Sequence, residues 1–196
     1  MTEIPSTPRE FFTTYLPARF AAARQAFSGK SSPGSMTFHV HGDAGGSWTL
    51  SLANGELEVT PGTCGEPVVQ AFLSREDFEH LLLQAARLEE AQGGGLETQL
   101  LAFKALTLDA ERAKMLRSVT GSVAFVIADG SVTRKVVIAV GDVRSVEQPD
   151  CRVECQVTDF LDLTAGRQLA IQLAMSGRMR LLGNAQVAMA LGAVFM

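Results

Sequence analysis

The sequence predicts an α+β protein in which a largely antiparallel or mixed sheet of about five strands is covered by helices, with this unit duplicated along the chain. Three observations predict this class. Stretches in which apolar and polar residues alternate, as in half-buried strands, lie beside stretches with apolar residues three and four positions apart, as in amphipathic helices. These stretches come in the same order in both halves of the chain. The chain also ends on the almost wholly apolar segment Ala185–Met196, which predicts a helix that is covered on all sides.

The first half of the chain predicts a helix, four strands and a second helix. Phenylalanines recur on one side of Pro8–Phe27, which predicts the first helix. Apolar residues such as Met36, Phe38 and Val40 alternate with polar neighbours, which is typical of half-buried strands. The four predicted strands are Met36–Val40, Trp48–Leu52, Leu57–Thr60 and Pro67–Leu73. A capping box at Ser74-Arg75-Glu76-Asp77 then predicts a helix as far as Gln92.

The second half predicts elements of the same kinds after a clear break at Gly93-Gly94-Gly95. This break predicts a division into an N-terminal half at residues 1–93 and a C-terminal half at residues 96–196. Leu96–Val119 has a helical pattern in two pieces. The predicted strands of this half are Gly121–Ala128, Val132–Val140, Cys151–Val157 and a short strand within Ser176–Asn184. A helix is predicted from Thr158, with an interruption at Gly166, and Ala185–Met196 forms the last helix.

Composition and charge narrow the class of function. A hydrophobic fraction of 46% fills a core easily, and a net charge of −4 offers no basic surface to nucleic acid, so no nucleic-acid partner is expected. The N-terminus has neither a basic start nor an apolar run, which predicts no signal peptide. The longest apolar run, Val187–Met196, is far shorter than the roughly 20 residues of a membrane-spanning helix. Three cysteines fit a reducing compartment, so we expect a cytoplasmic protein.

No catalytic or metal-binding arrangement is predicted. His39 and His41 share one face of a strand, but that face also carries Thr37 and is expected to be solvated, which favours two surface histidines over a metal site. The segment Gly42–Ser47 is similar to the loop around the nucleophile of trypsin-like proteases, yet it has alanine at the serine position, so we interpret it as a hairpin turn. We therefore expect no enzyme activity and no cofactor.

Two short matches indicate an internal repeat. Gly34–Phe38 matches Gly121–Phe125, which lies 87 positions later, and Asp77-Phe78 matches Asp159-Phe160, which lies 82 positions later. In both halves the order is a helix, a hairpin, further strands and then a helix that begins at Asp-Phe. The same order at a nearly constant offset favours a duplicated unit, arranged either as two sheets side by side or as one continuous sheet.

The end of the chain resembles a known family, the sterol carrier protein type 2 lipid-binding domain. The resemblance lies in Asp159-Phe160-Leu161-Asp162-Leu163, in Ser176-Gly177-Arg178-Met179-Arg180-Leu181-Leu182-Gly183-Asn184 and in Val187-Ala188-Met189-Ala190-Leu191. The family has an Asp-Phe-Leu helix, a strand in which apolar residues alternate with Lys or Arg and which ends in Gly-Asn or Gly-Asp, and an apolar closing helix. Residues 97–196 resemble one whole domain of this kind.

The first half resembles a second, partial copy of the same domain. Gly45–Leu50 and Asn54-Gly55 are similar to the second strand and the following turn of the family. The first copy lacks a recognisable fifth strand and closing helix, and the second copy lacks the tryptophan that stands at Trp48 in the first.

The resemblance implies a five-stranded sheet with an apolar tunnel that binds or transfers fatty acids, acyl-CoA or sterols and does no chemistry. Flexible apolar side chains around the last helix support such a site, because methionine adapts to irregular ligands. The predicted lipid-binding residues are Phe160, Leu163, Leu169, Leu173, Met175, Met179, Leu181, Met189, Leu191 and Phe195. Arg178 and Arg180 alternate with two of them and are expected to face water or a polar head group.

A second interpretation stays open for the terminal run. Val187–Met196 has almost no polar residue, so protein, ligand or a partner chain must cover it. In this alternative the domain is a protein-interaction or dimerisation module of the same fold with a filled tunnel, and the terminal helix holds a partner or a second copy of the chain.

Overall fold

We describe the protein from a computed structural model. The structure describes residues 5–22, 34–83, 86, 87, 106, 108–141, 146–164 and 167–195, and for residues 193–195 it describes the backbone alone. The predicted break at Gly93-Gly94-Gly95 lies outside the described residues, as does most of the helical pattern on either side of it. The division into halves at this break therefore stays a prediction.

The described part of the chain contains eight strands, and all of them belong to one continuous sheet. The strands are β1 Met36–His41, β2 Gly46–Ala53, β3 Glu56–Pro61, β4 Val69–Ser74, β5 Gly121–Asp129, β6 Val132–Val140, β7 Cys151–Gln156 and β8 Met179–Gly183. Each begins and ends within a few residues of the predicted strand, and in β4 and β7 alternate side chains are buried on one face and exposed or half-buried on the other.

The helices pack on one face of this sheet. In the first half, α1 spans Pro8–Glu10, Phe11–Tyr15 and Leu16–Ala22, of which Phe11–Tyr15 is π-helical. Helix α2 spans Arg75–Phe78 and Glu79–Leu83, of which Glu79–Leu83 is π-helical. The helices of the second half are α3 Ala110–Arg117, α4 Val157–Thr164, α5 Ala170–Met175 and α6 Ala185–Phe195. Ser74 caps α2 through its side chain, as the capping box predicts.

The strand order along the sheet is β3-β2-β1-β4-β6-β5-β7-β8. The pairs β1–β4 and β5–β7 are parallel, and the remaining neighbours are antiparallel, so the sheet is mixed. The predicted class, a largely antiparallel or mixed sheet covered by helices, is confirmed. The predicted number of about five strands is wrong for the sheet as a whole, and of the two arrangements considered the continuous sheet is the one observed.

The strand registers repeat between the two halves. Met36 lies opposite Val69 in the parallel pair β1–β4, and Val123 lies opposite Cys151 in the parallel pair β5–β7. Val123 follows Met36 by 87 positions and Cys151 follows Val69 by 82, which are the offsets of the two sequence matches. The helices that begin at Asp-Phe, α2 and α4, each start directly after the parallel strand, β4 or β7. The repeat is therefore present in backbone geometry as well as in sequence.

The eight strands form two overlapping sets of five. The first set is β3-β2-β1-β4-β6 and the second is β4-β6-β5-β7-β8, so the antiparallel pair β4–β6 belongs to both. In the first set β6 occupies the position that β8 occupies in the second, and this strand supplies the fifth strand that the first copy lacks. The buried apolar side chains of both sets form one hydrophobic cluster.

Candidate functional site: an apolar cavity at the junction of the two repeats

An apolar cavity lies over the shared strand pair, between the sheet and the helices α2 and α4. Its empty volume is about 670 Å³, which includes space open to solvent. The strands β1, β4, β5 and β6 form its floor, and the two helices form its walls. Its lining is apolar apart from one threonine and consists of Met36, Phe38, Val69, Ala71, Leu73, Leu81, Leu82, Phe125, Val136, Ile138, Phe160, Leu163 and Thr164.

The cavity is lined by counterparts from the two repeats. Phe38 and Phe125 stand 87 positions apart, and Leu81 and Leu163 stand 82 positions apart, so each pair occupies the same place in its own repeat. Ala71 of β4 lies opposite Ile138 of β6 in the middle of the floor, where the two sets of strands overlap. Both halves of the chain are therefore needed to enclose this space.

The corresponding space in the first repeat is filled by aromatic rings. Phe38 pairs across the strands with Trp48, and the ring of Phe12 from α1 stacks on Trp48 with centroids 4.9 Å apart. Phe12 also meets Phe38 at 5.0 Å and Phe78 at 5.7 Å, and its side chain is fully buried. These rings occupy the volume above β1 and β2.

The second repeat has a smaller side chain at the place of Trp48, and this side chain lines the cavity. Phe125 pairs across the strands with Val136, which stands where the first repeat has Trp48. The ring of Phe160 meets Phe125 at 5.7 Å, and both side chains line the cavity. The absence of the tryptophan, visible in the sequence, thus coincides with the place where the structure has empty space.

Buried Arg134 forms ion pairs between the two repeats beside the cavity. Arg134 lies two positions before Val136 on β6, so it shares the face of the sheet that lines the cavity, and only 5% of it is exposed. Its Nη1 donates to Glu76 Oε1 at 2.7 Å and lies 3.9 Å from Asp77 Oδ1. Its Nε lies 3.6 Å from Asp129 Oδ2. The hydrogen bond to Glu76 raises the pKa of Arg134, so the residue stays cationic.

The second repeat has an equivalent ion pair at the start of its own helix. Asp159, the counterpart of Asp77, is buried in the first turn of α4, and Arg178 donates to it through Nη2. A carboxylate in the first turn of a helix also interacts favourably with the helix dipole. In the described residues the cavity itself is lined by no charged side chain, so its chemistry is that of a site for apolar ligands.

The predicted lipid-binding residues lie in three different environments. Phe160 and Leu163 line the cavity. Leu173, Met179 and Leu191 are buried in the core, and Leu181 is half-buried against it. Three others are exposed, namely Leu169 at 44%, Met175 at 85% and Met189 at 67%. The side chain of Phe195 lies outside the described residues. The structure therefore does not bring the ten residues together around one space.

Most of the cavity lining comes from residues that the sequence did not single out. The first half contributes Met36, Val69, Leu73 and Leu82 among others, although it was interpreted as the partial copy. The internal repeat is the sequence signal from which some of these lining residues could have been found. The offset of 82 leads from Leu163 to Leu81, and the match between Gly34–Phe38 and Gly121–Phe125 leads to the Phe38–Phe125 pair.

The opposite face of the sheet is less solvated than predicted around the two histidines. Thr37 is fully buried, and His39 is half-buried with its ring stacked on Phe72 at 4.4 Å. The ring nitrogens of His39 lie 2.8 Å from Ser47 Oγ and 3.1 Å from Gln70 Oε1. Burial lowers the pKa of His39 below its ordinary value, and the charge of the neighbouring histidine acts in the same direction, whereas the hydrogen bond to Gln70 opposes it.

The two buried cysteines of β7 lie on the face that the helices cover. Burial is the main cause that raises the pKa of Cys155, to about 11, and the carboxylate of Asp159 adds to it. Burial also raises the pKa of Cys151. Both thiols therefore stay protonated at neutral pH and act as small apolar side chains in the core, as predicted.

Comparison with known proteins finds similarity to the second half of the chain. Residues 102–196 match the SCP-2 sterol transfer family. Similar solved structures include sterol carrier protein 2 from Yarrowia lipolytica in its apo form, with 18% identity over 44% of this chain and 74% of that one, at a TM-score of 0.35. Sterol carrier protein domain 2 of Helicoverpa armigera has 21% identity over 68% and 92% of the two chains, at a TM-score of 0.36. Palmitated SCP2L2 from Aedes aegypti has 23% identity over 39% and 73%, at a TM-score of 0.34.

No curated protein matches the chain. Within the residues that the structure describes, no helix is long and apolar enough to cross a membrane.

Proposed function

Because residues 102–196 match the SCP-2 sterol transfer family, we propose that this protein binds a lipid in the cavity at the junction of its two repeats. The ligand class is a fatty acid, an acyl-CoA or a sterol, whose apolar part lies between the sheet and the helices α2 and α4. The protein carries or presents this ligand and does not transform it.

The observation that carries this proposal is the apolar lining of the cavity. Twelve of its thirteen lining residues are apolar, and small-molecule sites are lined predominantly by hydrophobic and aromatic side chains. Each methylene of an acyl chain that leaves water contributes about 0.8 kcal/mol, so a long chain gains on the order of 10 kcal/mol before the costs of binding. These costs reduce the affinity to about micromolar or somewhat tighter.

The position of the cavity gives a sharp test. Val136→Trp places in the second repeat the residue that fills the first, because Val136 and Trp48 occupy the same register position opposite Phe125 and Phe38. We expect this variant to fold, to lose uptake of a fluorescent fatty acid, and to lack the bound lipid that we expect native mass spectrometry to detect on the wild type.

A matched control is available on the neighbouring strand. Val126→Trp makes the same substitution at a half-buried position on the opposite face of the sheet, away from the cavity. It should bind fatty acid as the wild type does. Wild-type affinity in a folded Val136→Trp variant, or the absence of any lipid uptake by the wild type, would refute the proposal.

The alternative function is a protein-interaction or dimerisation module with a filled tunnel. It predicts a dimer held through α6, whose Met189 is exposed while Val187 and Leu191 are buried against the protein's own core. Native mass spectrometry distinguishes the two functions in one measurement. A monomer with bound lipid supports the carrier, and a lipid-free dimer that Met189→Gln dissociates supports the module.

A further inference from the structure

Ser47, His39 and Gln70 form a chain of hydrogen bonds across three neighbouring strands. They lie on β2, β1 and β4, and Ser47 is directly opposite His39 in the antiparallel pair β1–β2. The Oγ atom of Ser47 lies 2.8 Å from Nδ1 of His39, and Nε2 of His39 lies 3.1 Å from Oε1 of Gln70. A hydroxyl, an imidazole and a group that orients the imidazole are the parts from which an activated nucleophile is built.

The direction of both hydrogen bonds follows from the amide of Gln70. A carbonyl oxygen only accepts, so Nε2 of His39 carries a proton and donates it to Oε1 of Gln70. In the neutral ring Nδ1 then has no proton, so it accepts and the hydroxyl of Ser47 donates. A histidine must face a hydroxyl in this direction if it is to remove the proton of that hydroxyl.

Packing holds the imidazole of His39 in this orientation. Its ring stacks on that of Phe72, its partner in the parallel pair β1–β4, with centroids 4.4 Å apart and planes 12° apart. Burial lowers the pKa of His39, and the charge of His41 acts in the same direction, whereas the hydrogen bond to Gln70 opposes it. The ring is therefore neutral near pH 7 and able to accept a proton.

Ser47 and His39 are open to solvent on the face of the sheet opposite the helices. Both residues are half-buried, and the turn that joins their strands, residues 41–44, is exposed. Successive residues of a strand point to opposite faces, so their neighbours Trp48 and Phe38 lie in the core. Phe38 lines the lipid cavity, and this hydrogen-bonded chain and the cavity therefore lie on different faces of the sheet.

We propose that Ser47 is a nucleophile that accepts an acyl group from an activated ester or thioester, with His39 as its base and Gln70 as the residue that orients the base. The Oγ atom of Ser47 forms a bond to the carbonyl carbon, and the proton of the hydroxyl moves to Nδ1 of His39. The bond from the carbonyl carbon to the leaving oxygen or sulfur breaks, and the leaving group takes the electron pair. His39 then returns its proton to the leaving group or to water, and the product is an O-acylserine. This single transfer modifies the protein itself, so it is compatible with a protein that does not transform its lipid.

Acetylation by p-nitrophenyl acetate, located by mass spectrometry of peptides, tests this assignment. Ser51 is a matched internal control, because it lies on the same strand and the same face and is also half-buried. Strand β1 begins opposite Leu50, so neither His39 nor His41 faces Ser51. General-base catalysis contributes about 100-fold or more, so we expect acetylation of Ser47 to be about 100-fold faster than that of Ser51. His39→Gln should reduce the rate at Ser47 to that at Ser51.

The pH dependence of the reaction separates activation of Ser47 from a structural role of His39. Acetylation should fall as the pH drops through a midpoint below the ordinary histidine value of about 6.5, because protonated His39 accepts no proton. The titratable group that acts on His39 through its charge is His41, and the residues that face the ring from β2 and β4, Ser47, Gln70 and Phe72, are uncharged. Gln70→Glu places a carboxylate beside Nε2 and should raise the midpoint.

Equal rates at Ser47 and Ser51 in the wild type would overturn the proposal, and this comparison does not depend on the folding of any variant. An unchanged rate at Ser47 in a His39→Gln variant with the circular dichroism of the wild type would also overturn it. An acetyl group found on His39 in place of Ser47 would assign the reactivity to the imidazole and refute the role of the serine. None of these outcomes bears on lipid uptake, because the cavity lies on the other face of the sheet.

Discussion

Replacement of Phe12 by alanine tests whether the side chains of α1 fill the space above strands β1 and β2 of the first repeat. Phe12 is fully buried and contacts the rings of Phe11, Phe38, Trp48 and Phe78. Replacing a buried phenylalanine by alanine removes about 3–5 kcal/mol from the free energy of unfolding. The aromatic neighbours, each worth about 0.5–1.5 kcal/mol beyond burial, place Phe12→Ala at the upper end of that range.

Phe160→Ala is a useful comparison, because Phe160 is an aromatic residue of the second repeat that lines the open cavity. It is half-buried, lines the cavity and meets one ring, that of Phe125. Loss of partial burial costs about half as much as loss of a fully buried side chain. We therefore expect a destabilisation of about 2 kcal/mol for Phe160→Ala against about 5 kcal/mol for Phe12→Ala.

Urea denaturation measures both values, with circular dichroism for the whole chain and the fluorescence of Trp48, the single tryptophan, for the first repeat. For a chain of this length, Phe12→Ala should lower the melting temperature by about 10–20 °C. Trp48 fluorescence in the folded variant should shift towards that of a more solvated indole. Equal destabilisation by the two substitutions would refute the explanation of why one repeat is filled and the other is open.

Two further predictions concern titratable groups. Near neutral pH a thiol reagent should label exposed Cys64 rapidly and Cys155 only on unfolding, because burial raises the pKa of Cys155 to about 11; fast labelling of all three cysteines in the native protein would contradict this. Burial lowers the pKa of His39, so the unfolded chain binds its proton more readily than the folded chain does, and the free energy of unfolding should fall as the pH drops through about 6.5. Urea titrations of His39→Asn should show a smaller loss in this range, and an unchanged loss would assign it to another group.

Local structure was largely predictable from the sequence, because each strand and helix carries its own pattern. The predicted strand Val132–Val140 has the bounds that the structure has, and the capping box at Ser74 marks the start of α2. These signals act over a few residues, and burial of one face is enough to produce them. Neighbouring strands far apart in sequence leave no such pattern.

The pairing of β4 with β6 was therefore not predictable from periodicity. Phe72 and Val137 are partners in the sheet although 65 positions separate them, and either strand alone has a pattern that suits many neighbours. The number of strands in one sheet depends on this single pairing. Without it the sequence indicates two sheets of the family's size, and with it they become one.

The candidate site was predictable only in part for the same reason. Phe160 and Leu163 belong to the matched segment and line the cavity, but Ala71 and Ile138 reach it only because β4 and β6 are neighbours. Methionine content suggested a lining around the last helix, yet Met175 and Met189 are largely exposed. A flexible apolar side chain has the same sequence signature in a core, in a ligand site and on an exposed surface.

The shared pair β4–β6 also protects the protein from aggregation. Two separate five-stranded sheets would have four edges, whereas the fused sheet of the described strands has two, at β3 and β8. Glu56, Glu58 and Pro61 on β3, and Arg180 on β8, are the kinds of residue that discourage pairing with another molecule at an open edge. The run Val136–Val140, wholly apolar, would form such an edge if β4 did not cover it. By lying against each other, the two repeats remove from solvent the strand that is most prone to join a foreign sheet.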